Sequence, residues 1–142
     1  MDDFIQRPTE AQGYRAAAQA MLEGARPLSK VNPVPNIALT LLCGHGTEAA
    51  LKALLAESGL TAEVLSKRPY SHEIINLWEA AAKSGIALPE PRPLWVAQLD
   101  RVHTAPYKLR YPLGFHMLVL PDQEGMLDGL HLLVKIVNET VK

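Results

Sequence analysis

Apolar residues recur at helical spacing along most of the chain, most clearly after Asp122. The apolar positions there are separated alternately by three and four residues: Leu127, Leu130, Val134, Val137 and Val141. This spacing places them on one face of a helix, where they form a packing seam. Asp122 has a side chain typical of helix N-caps, so the pattern predicts a C-terminal helix that begins just after it.

The first helix is predicted from its N-terminal signal. Thr9 followed three residues later by Gln12 is a capping box, and an Ala-rich segment continues from there to Gly24. The next segment, 26–35, contains three prolines and cannot be helical throughout, because proline lacks a backbone donor and disfavours helix in the residue before it. We therefore expect this helix to end near Gly24.

Two further helices are predicted in the second half of the chain. Ser71 is a suitable N-cap for the segment SHEIINLWEAAAKSG, which Gly85 would close. A shorter helix is predicted to begin near Pro93, since proline is favoured at early helical positions. The stretch 105–121 contains three prolines and a glycine and is predicted to be irregular, with HMLVL as a short strand or a buried extended run.

The helix predicted over residues 36–58, which Gly59 would end, is apolar or small on nearly every face. Such a helix is normally the central element of its fold. It nevertheless carries a polar trio, His45, Glu48 and Lys52. The trio is either an ordinary semi-exposed pair with a nearby histidine or part of a polar pocket or subunit interface. If Glu48 is buried, Lys52 at i+4 is placed to be its partner.

Together these elements predict an all-α, up-and-down bundle of about five helices in a single domain that spans residues 1–142. Hydrophobic residues make up 48% of the 142 residues, which is enough for a substantial core. The acidic N-terminus lacks the pattern of a signal peptide, and charged residues interrupt the longest apolar stretch. A cytoplasmic location is therefore expected.

Charge and cysteine content narrow the possible functions. Lys and Arg total 14 against 15 Asp and Glu, so no global attraction to nucleic acid or anionic lipid is expected and anion binding must be local. The single cysteine, Cys43, excludes an intramolecular disulfide and fits a reducing compartment. It has no basic neighbour on its helix, so a catalytic thiol is not expected.

Three segments in order, GHGTEAALKALLAESGL, SHEIINLWEAAAKSGI and YKLRYP, resemble the HEPN family (higher eukaryotes and prokaryotes nucleotide-binding domains). The resemblance implies a helical bundle that commonly pairs as a homodimer. It also implies a role in toxin–antitoxin or defence systems, or as an accessory domain that binds nucleotides or RNA. Active members of this family are metal-independent ribonucleases with an Arg and a His four to six residues apart.

One pair in this chain, Arg110 and His116, matches that catalytic spacing. An arginine can stabilise phosphate charge while a histidine transfers a proton, so the pair could cleave RNA. Pro112 and Gly114 lie between them and disfavour the helix start on which the family carries its pair. We therefore expect a non-catalytic protein, with a metal-independent ribonuclease using Arg110 and His116 as the alternative.

The expected ligand site combines Glu48, Lys52, His72, Arg110 and Tyr111. Lys52 and Arg110 would supply positive charge, Glu48 would position one of them, and His72 would cap or gate the pocket. The ligand would be a small anion, a nucleotide, RNA or a partner protein. The site lies partly in the stretch 101–121, which contains cations and aromatic residues but no Asp or Glu. This composition indicates either a single-stranded nucleic-acid surface or a solvated loop.

The same residues also raise the question of a metal site. His45-x-x-Glu48 places two candidate ligands on one helical face, and His72, His103 or His116 could complete a cluster. Di-metal helical bundles, however, use Glu-x-x-His and further glutamates from other helices, which this chain does not show. We therefore expect no metal and no cofactor. Two tryptophans at helical core spacing, Trp78 and Trp95, are predicted to be packing residues.

Overall fold

The computed structural model describes residues 6–105, 107–110 and 118–142, which form helices and connecting turns without any strand. There are six helices in these ranges: α1 (Glu10–Leu28), α2 (Asn36–Glu57), α3 (Ala62–Leu65), α4 (Ile74–Lys83), α5 (Leu94–His103) and α6 (Gln123–Thr140). The predicted all-α bundle is confirmed. The additional element is the one-turn helix α3, which lies between two of the predicted helices.

Helix α1 begins as the sequence predicts, because Thr9 and Gln12 form both hydrogen bonds of the capping box. Its predicted end was wrong, since the helix continues past Gly24 and includes Pro27. Ala25 is fully buried in this last turn, and α1 packs extensively along α2. The packing of this face is favourable enough to extend the helix through a residue that disfavours it.

Helix α2 is the central element of the fold, as its apolar composition predicts. It packs against α1, α4, α5 and α6. The backbone N–H of Leu60 donates to the Leu55 carbonyl, and Gly59 adopts a φ of 116°. This is the glycine-terminated helix end expected from the sequence. Because neighbours cover most of its length, polar side chains on α2 are drawn into the interior.

Helix α4 begins at Ile74, so the prediction that Ser71 is its N-cap was wrong. Ser71 has a φ of 42°, and the N-cap position is taken by Glu73, whose side chain makes no capping bond. The backbone N–H of Ile75 instead donates to Asp100 Oδ1 on α5 at 3.1 Å. A long-range carboxylate thus satisfies the helix end that the sequence assigned to a local serine.

The remaining predicted ends and packing residues agree with the structure. Helix α5 follows Pro93, and Asp122 caps α6 through a 2.8 Å bond from the Gly125 N–H. Trp78 and Trp95 are buried and pack edge-to-face with ring centroids 6.2 Å apart, which confirms their packing role. In the described part of the chain, no helix has the length and apolarity needed to cross a membrane.

Candidate functional site: a buried glutamate held by two histidines and a lysine

Glu48 on α2 is bound by three side chains, and we call Glu48, Lys52, His72 and His103 the Glu48 cluster. Its Oε1 lies 2.8 Å from His72 Nδ1 and 2.9 Å from His103 Nε2. Its Oε2 accepts a hydrogen bond of 3.1 Å from Lys52 Nζ. A carboxylate has no proton to donate, so each of those imidazole nitrogens carries the proton that it shares with Oε1.

Three separate elements position the cluster. Glu48 and Lys52 face the same side of α2 because they are four residues apart. His72 lies in the turn that precedes α4, and His103 is the last residue of α5. Since α4 and α5 both pack on α2, their ends bring the two imidazoles to the same carboxylate oxygen.

Burial differs sharply among the four side chains. His103, Lys52 and Glu48 expose 2%, 9% and 13% of their side-chain surface, whereas His72 exposes 39%. Solvent therefore reaches the cluster from the side of His72. The ammonium of Lys52 is largely enclosed and is bound to Glu48, so it supports the carboxylate from inside the fold.

The environment favours the charged form of Glu48. Burial alone would raise its pKa, but hydrogen bonds from His103 and His72, with the positive charge of Lys52, outweigh burial and lower the pKa to about 2. Glu48 is therefore an anion at any ordinary pH. The fold uses this fixed negative charge to hold both histidines and the lysine in place.

A second group, the rim, consists of His45, Tyr107 and Arg110. Arg110 Nη2 lies 3.1 Å from His45 Nε2, and its guanidinium lies 5.4 Å from the centre of the Tyr107 ring. Arginine can only donate, so His45 Nε2 is unprotonated and accepts. Burial, followed by His103 and Arg110, lowers the pKa of His45, which agrees with a neutral ring.

The rim contacts the Glu48 cluster through aromatic edges. The ring of His45 lies 5.2 Å from that of His103, and the ring of Tyr107 lies 5.8 Å from that of His72. Ser71, directly before His72, has a φ of 42°, and Tyr107 has a φ of 59°. These are the non-glycine residues with positive φ in the described ranges, and such backbone strain concentrates at functional sites.

The structure joins several of the residues that the sequence singled out. Glu48, Lys52 and His72 come together, and Arg110 lies beside the third member of the polar trio, His45. The expected Lys52–Glu48 pair is confirmed. Two other candidates, Tyr111 of the ligand site and His116 of the ribonuclease pair, lie outside the described residues. The roles expected of Arg110 in those two sites therefore stay predictions.

His103 is the member of the cluster that the sequence does not place in the ligand site. The sequence assigns it only to the basic stretch and to the optional metal ligands. A usable signal is present, because Val96, Leu99 and His103 follow at helical spacing and lie on the buried face of α5. A histidine on such a face needs a polar partner.

Cys43 lies one helical turn before Thr47 on α2 and is fully buried. Burial raises the pKa of its thiol to about 12, so the reactive thiolate is not formed near neutral pH. The expectation that Cys43 is not catalytic agrees with this environment.

Gly44 allows His103 to lie against α2. A Cβ atom at this position would come within 2.6 Å of His103 Nδ1 and 3.2 Å of its Cγ. The His103 ring is enclosed, so we expect Gly44→Ala to lower the free energy of unfolding by about 1–2 kcal/mol through overpacking, although alanine favours helix. Urea denaturation at neutral pH measures the change.

Gly13→Ala on α1 is the matched control, because nothing lies within 4 Å of the added Cβ atom. It should raise the free energy of unfolding by about 0.5–1 kcal/mol through helix propensity alone. Equal stabilisation by both alanines would show that the His103 ring is not fixed against α2.

Comparisons of the chain with protein-family models, with curated proteins and with solved structures found no match. The fold and the site define an all-α helical protein in which two imidazoles and an ammonium hold one buried carboxylate. The chemistry of these residues is therefore the basis on which a function can be proposed.

Proposed function

We propose that the protein is a non-catalytic, HEPN-like helical protein that binds the phosphate group of a nucleotide or of RNA at the rim. The observation that carries this proposal is the state of Arg110. Its side chain is exposed and is oriented by His45 and Tyr107, and within the described residues no ion pair joins it to a carboxylate. Its remaining N–H groups can therefore donate to an anion.

The surrounding charges support an anionic ligand. Glu48 is neutralised by Lys52, so the guanidinium of Arg110 adds a net positive charge to the site. Because His72 Nδ1 donates to Glu48, the Nε2 of a neutral His72 is an acceptor, which suits a ribose hydroxyl of the ligand rather than its phosphate. Tyr107 provides a half-buried ring on which a base can stack. Lys52 acts in this proposal by fixing Glu48.

Fluorescence anisotropy with a short labelled single-stranded RNA, and calorimetry with ATP, test the proposal on the full chain. Arg110→Ala should weaken binding about tenfold or more, the effect of removing hydrogen bonds between a guanidinium and a phosphate. Arg101→Ala is the matched control, since Arg101 is an exposed cation on α5 in the same basic stretch. It should reduce affinity only slightly.

Equal loss of affinity in the two arginine variants would mean that binding is non-specific electrostatic attraction, and it would contradict a site at Arg110. Undetectable binding of both probes would contradict the nucleotide proposal and leave the partner protein as the ligand class.

The homodimer implied by the family resemblance is part of the same proposal. Sedimentation velocity should show a species of twice the chain mass, and a monomer at all concentrations would exclude it.

The rival function, a metal-independent ribonuclease, is tested in parallel. Incubation of a labelled RNA with the protein in the presence of EDTA should leave the RNA intact if the protein is non-catalytic. Cleavage that is lost in both Arg110→Ala and His116→Ala would establish the ribonuclease and overturn the non-catalytic proposal. Growth arrest on expression would point to the same outcome, as expected of a toxin.

A further inference from the structure

The Glu48 cluster contains a set of three ligand atoms that converge on one point. Glu48 Oε1, His72 Nδ1 and His103 Nε2 all lie within 4.8 Å of one another. Two imidazoles and one carboxylate are a common ligand set for zinc and for non-haem iron(II). We propose that these three atoms bind a divalent transition-metal ion of the class that prefers nitrogen ligands, with Zn²⁺ as its representative.

Two of the three distances between the ligand atoms suit such an ion after a small outward movement of the ligands, and the two imidazole nitrogens, which lie within 4.8 Å of each other, would have to take up a matching separation. Oε1 lies 2.8 Å from His72 Nδ1 and 2.9 Å from His103 Nε2. Ligands about 2.1 Å from a metal are about 3.0 Å apart in octahedral geometry and about 3.4 Å apart in tetrahedral geometry. The ion would take the place of the protons that now bridge each imidazole to Oε1.

The protons can be accommodated when the ion binds. A neutral imidazole gives up the proton on its ligating nitrogen and carries one on its other nitrogen, so the ring stays neutral. For His72 that other nitrogen belongs to a side chain that is 39% exposed, and solvent can supply the proton. For His103 that other nitrogen is Nδ1, which lies against the backbone of α2 at Gly44.

The surroundings have two further properties of metal sites. Lys52 binds the second carboxylate oxygen, Oε2, and so orients Glu48 from behind, as partners of metal ligands do. His72 leaves one side of the cluster open, which provides an entry path and free coordination positions for water. The ligands come from α2, from the turn before α4 and from α5, so the Glu-x-x-His spacing of di-metal bundles is not required.

The test uses the full chain without a histidine tag, freed of metal with a chelator and then titrated with Zn²⁺ in a calorimeter. We expect one ion per chain. His72→Gln should weaken binding about a hundredfold or more, because it removes one of the three protein ligands. The His72 side chain is partly exposed, so the substitution should leave the core intact. Glu48→Gln and His103→Gln should do the same wherever circular dichroism shows that they fold. Mg²⁺, which prefers oxygen ligands, should not bind.

The visible spectrum of bound Co²⁺ gives a second measurement. Stoichiometric Co²⁺ should produce d–d bands in the wild type that are lost in His72→Gln. His131→Gln on α6 is the matched control, since His131 is an exposed histidine far along the chain from the cluster. Equal metal affinity in His72→Gln and the wild type, equal loss in His131→Gln, or no stoichiometric binding would each overturn the proposal.

The metal proposal and the phosphate proposal fail separately. Arg110→Ala removes the anion contact and leaves all three metal ligands in place, so its Zn²⁺ affinity should remain within about twofold of the wild type. Loss of RNA or ATP binding in a protein that still binds Zn²⁺ contradicts only the function proposed above.

Discussion

Glu48→Ala is expected to lower the free energy of unfolding by about 3–5 kcal/mol, because it leaves the ammonium of Lys52 buried without its carboxylate. Only 9% of the Lys52 side chain is exposed, so its ammonium depends on Glu48 rather than on bulk solvent for a partner. The same substitution removes the acceptor of His72 and His103. Urea denaturation followed by far-UV circular dichroism measures the change.

The chain contains a matched control for this experiment. Glu63 and Lys67 have the same four-residue spacing and the same 3.1 Å separation, but their side chains expose 79% and 67%. Glu63→Ala should therefore cost less than about 0.5 kcal/mol. The double variant Glu48→Leu, Lys52→Met should recover part of the stability lost in Glu48→Ala, since it removes the unpaired charge. A cost for Glu48→Ala no larger than that for Glu63→Ala would show that the buried pair is not structurally important.

The stability of the protein is expected to fall steeply in acid. The pKa of Glu48 is about 2 in the folded protein, below its ordinary value of 4.5, so the unfolded chain takes up the proton first. The stabilisation is therefore complete above about pH 4.5 and is lost as the pH falls toward 2. It amounts to about 3 kcal/mol, because each tenfold change in a protonation equilibrium corresponds to about 1.4 kcal/mol.

His45 adds an earlier and smaller effect of the same sign. Its pKa is lowered from 6.5, so its contribution is present above that pH and decreases as the pH falls further. Unfolding free energies measured at about pH 7, 5.5, 4 and 3 should show both stages. In Glu48→Gln the step below pH 4.5 should be reduced. An unchanged acid dependence in that variant would mean that other carboxyl groups cause the loss of stability.

The helices were predictable where a local signal agreed with packing. The capping box at Thr9 and the glycine at position 59 are both present in the structure, because each depends on residues within one turn. The predictions failed where a distant residue decided the outcome. Asp100, far along the chain, binds the first turn of α4, and the packing of α1 on α2 carries α1 through Pro27.

The candidate site divides in the same way. The Lys52–Glu48 pair follows from four-residue spacing, which any α-helix places on one face. His103 lies 55 residues from Glu48, and no local pattern links them. Two imidazoles can share one oxygen only after the end of α5 and the turn before α4 have both been packed against α2.

By itself, the sequence determined that this protein is an all-α bundle whose most apolar helix carries a glutamate with a lysine partner. Helical periodicity and i, i+4 geometry are properties of neighbouring residues, so they can be read directly. Only the tertiary structure decided that Glu48 is an enclosed anion bound by His72 and His103. Burial and the convergence of side chains from separate helices arise only when those helices pack, so no local sequence pattern specifies them.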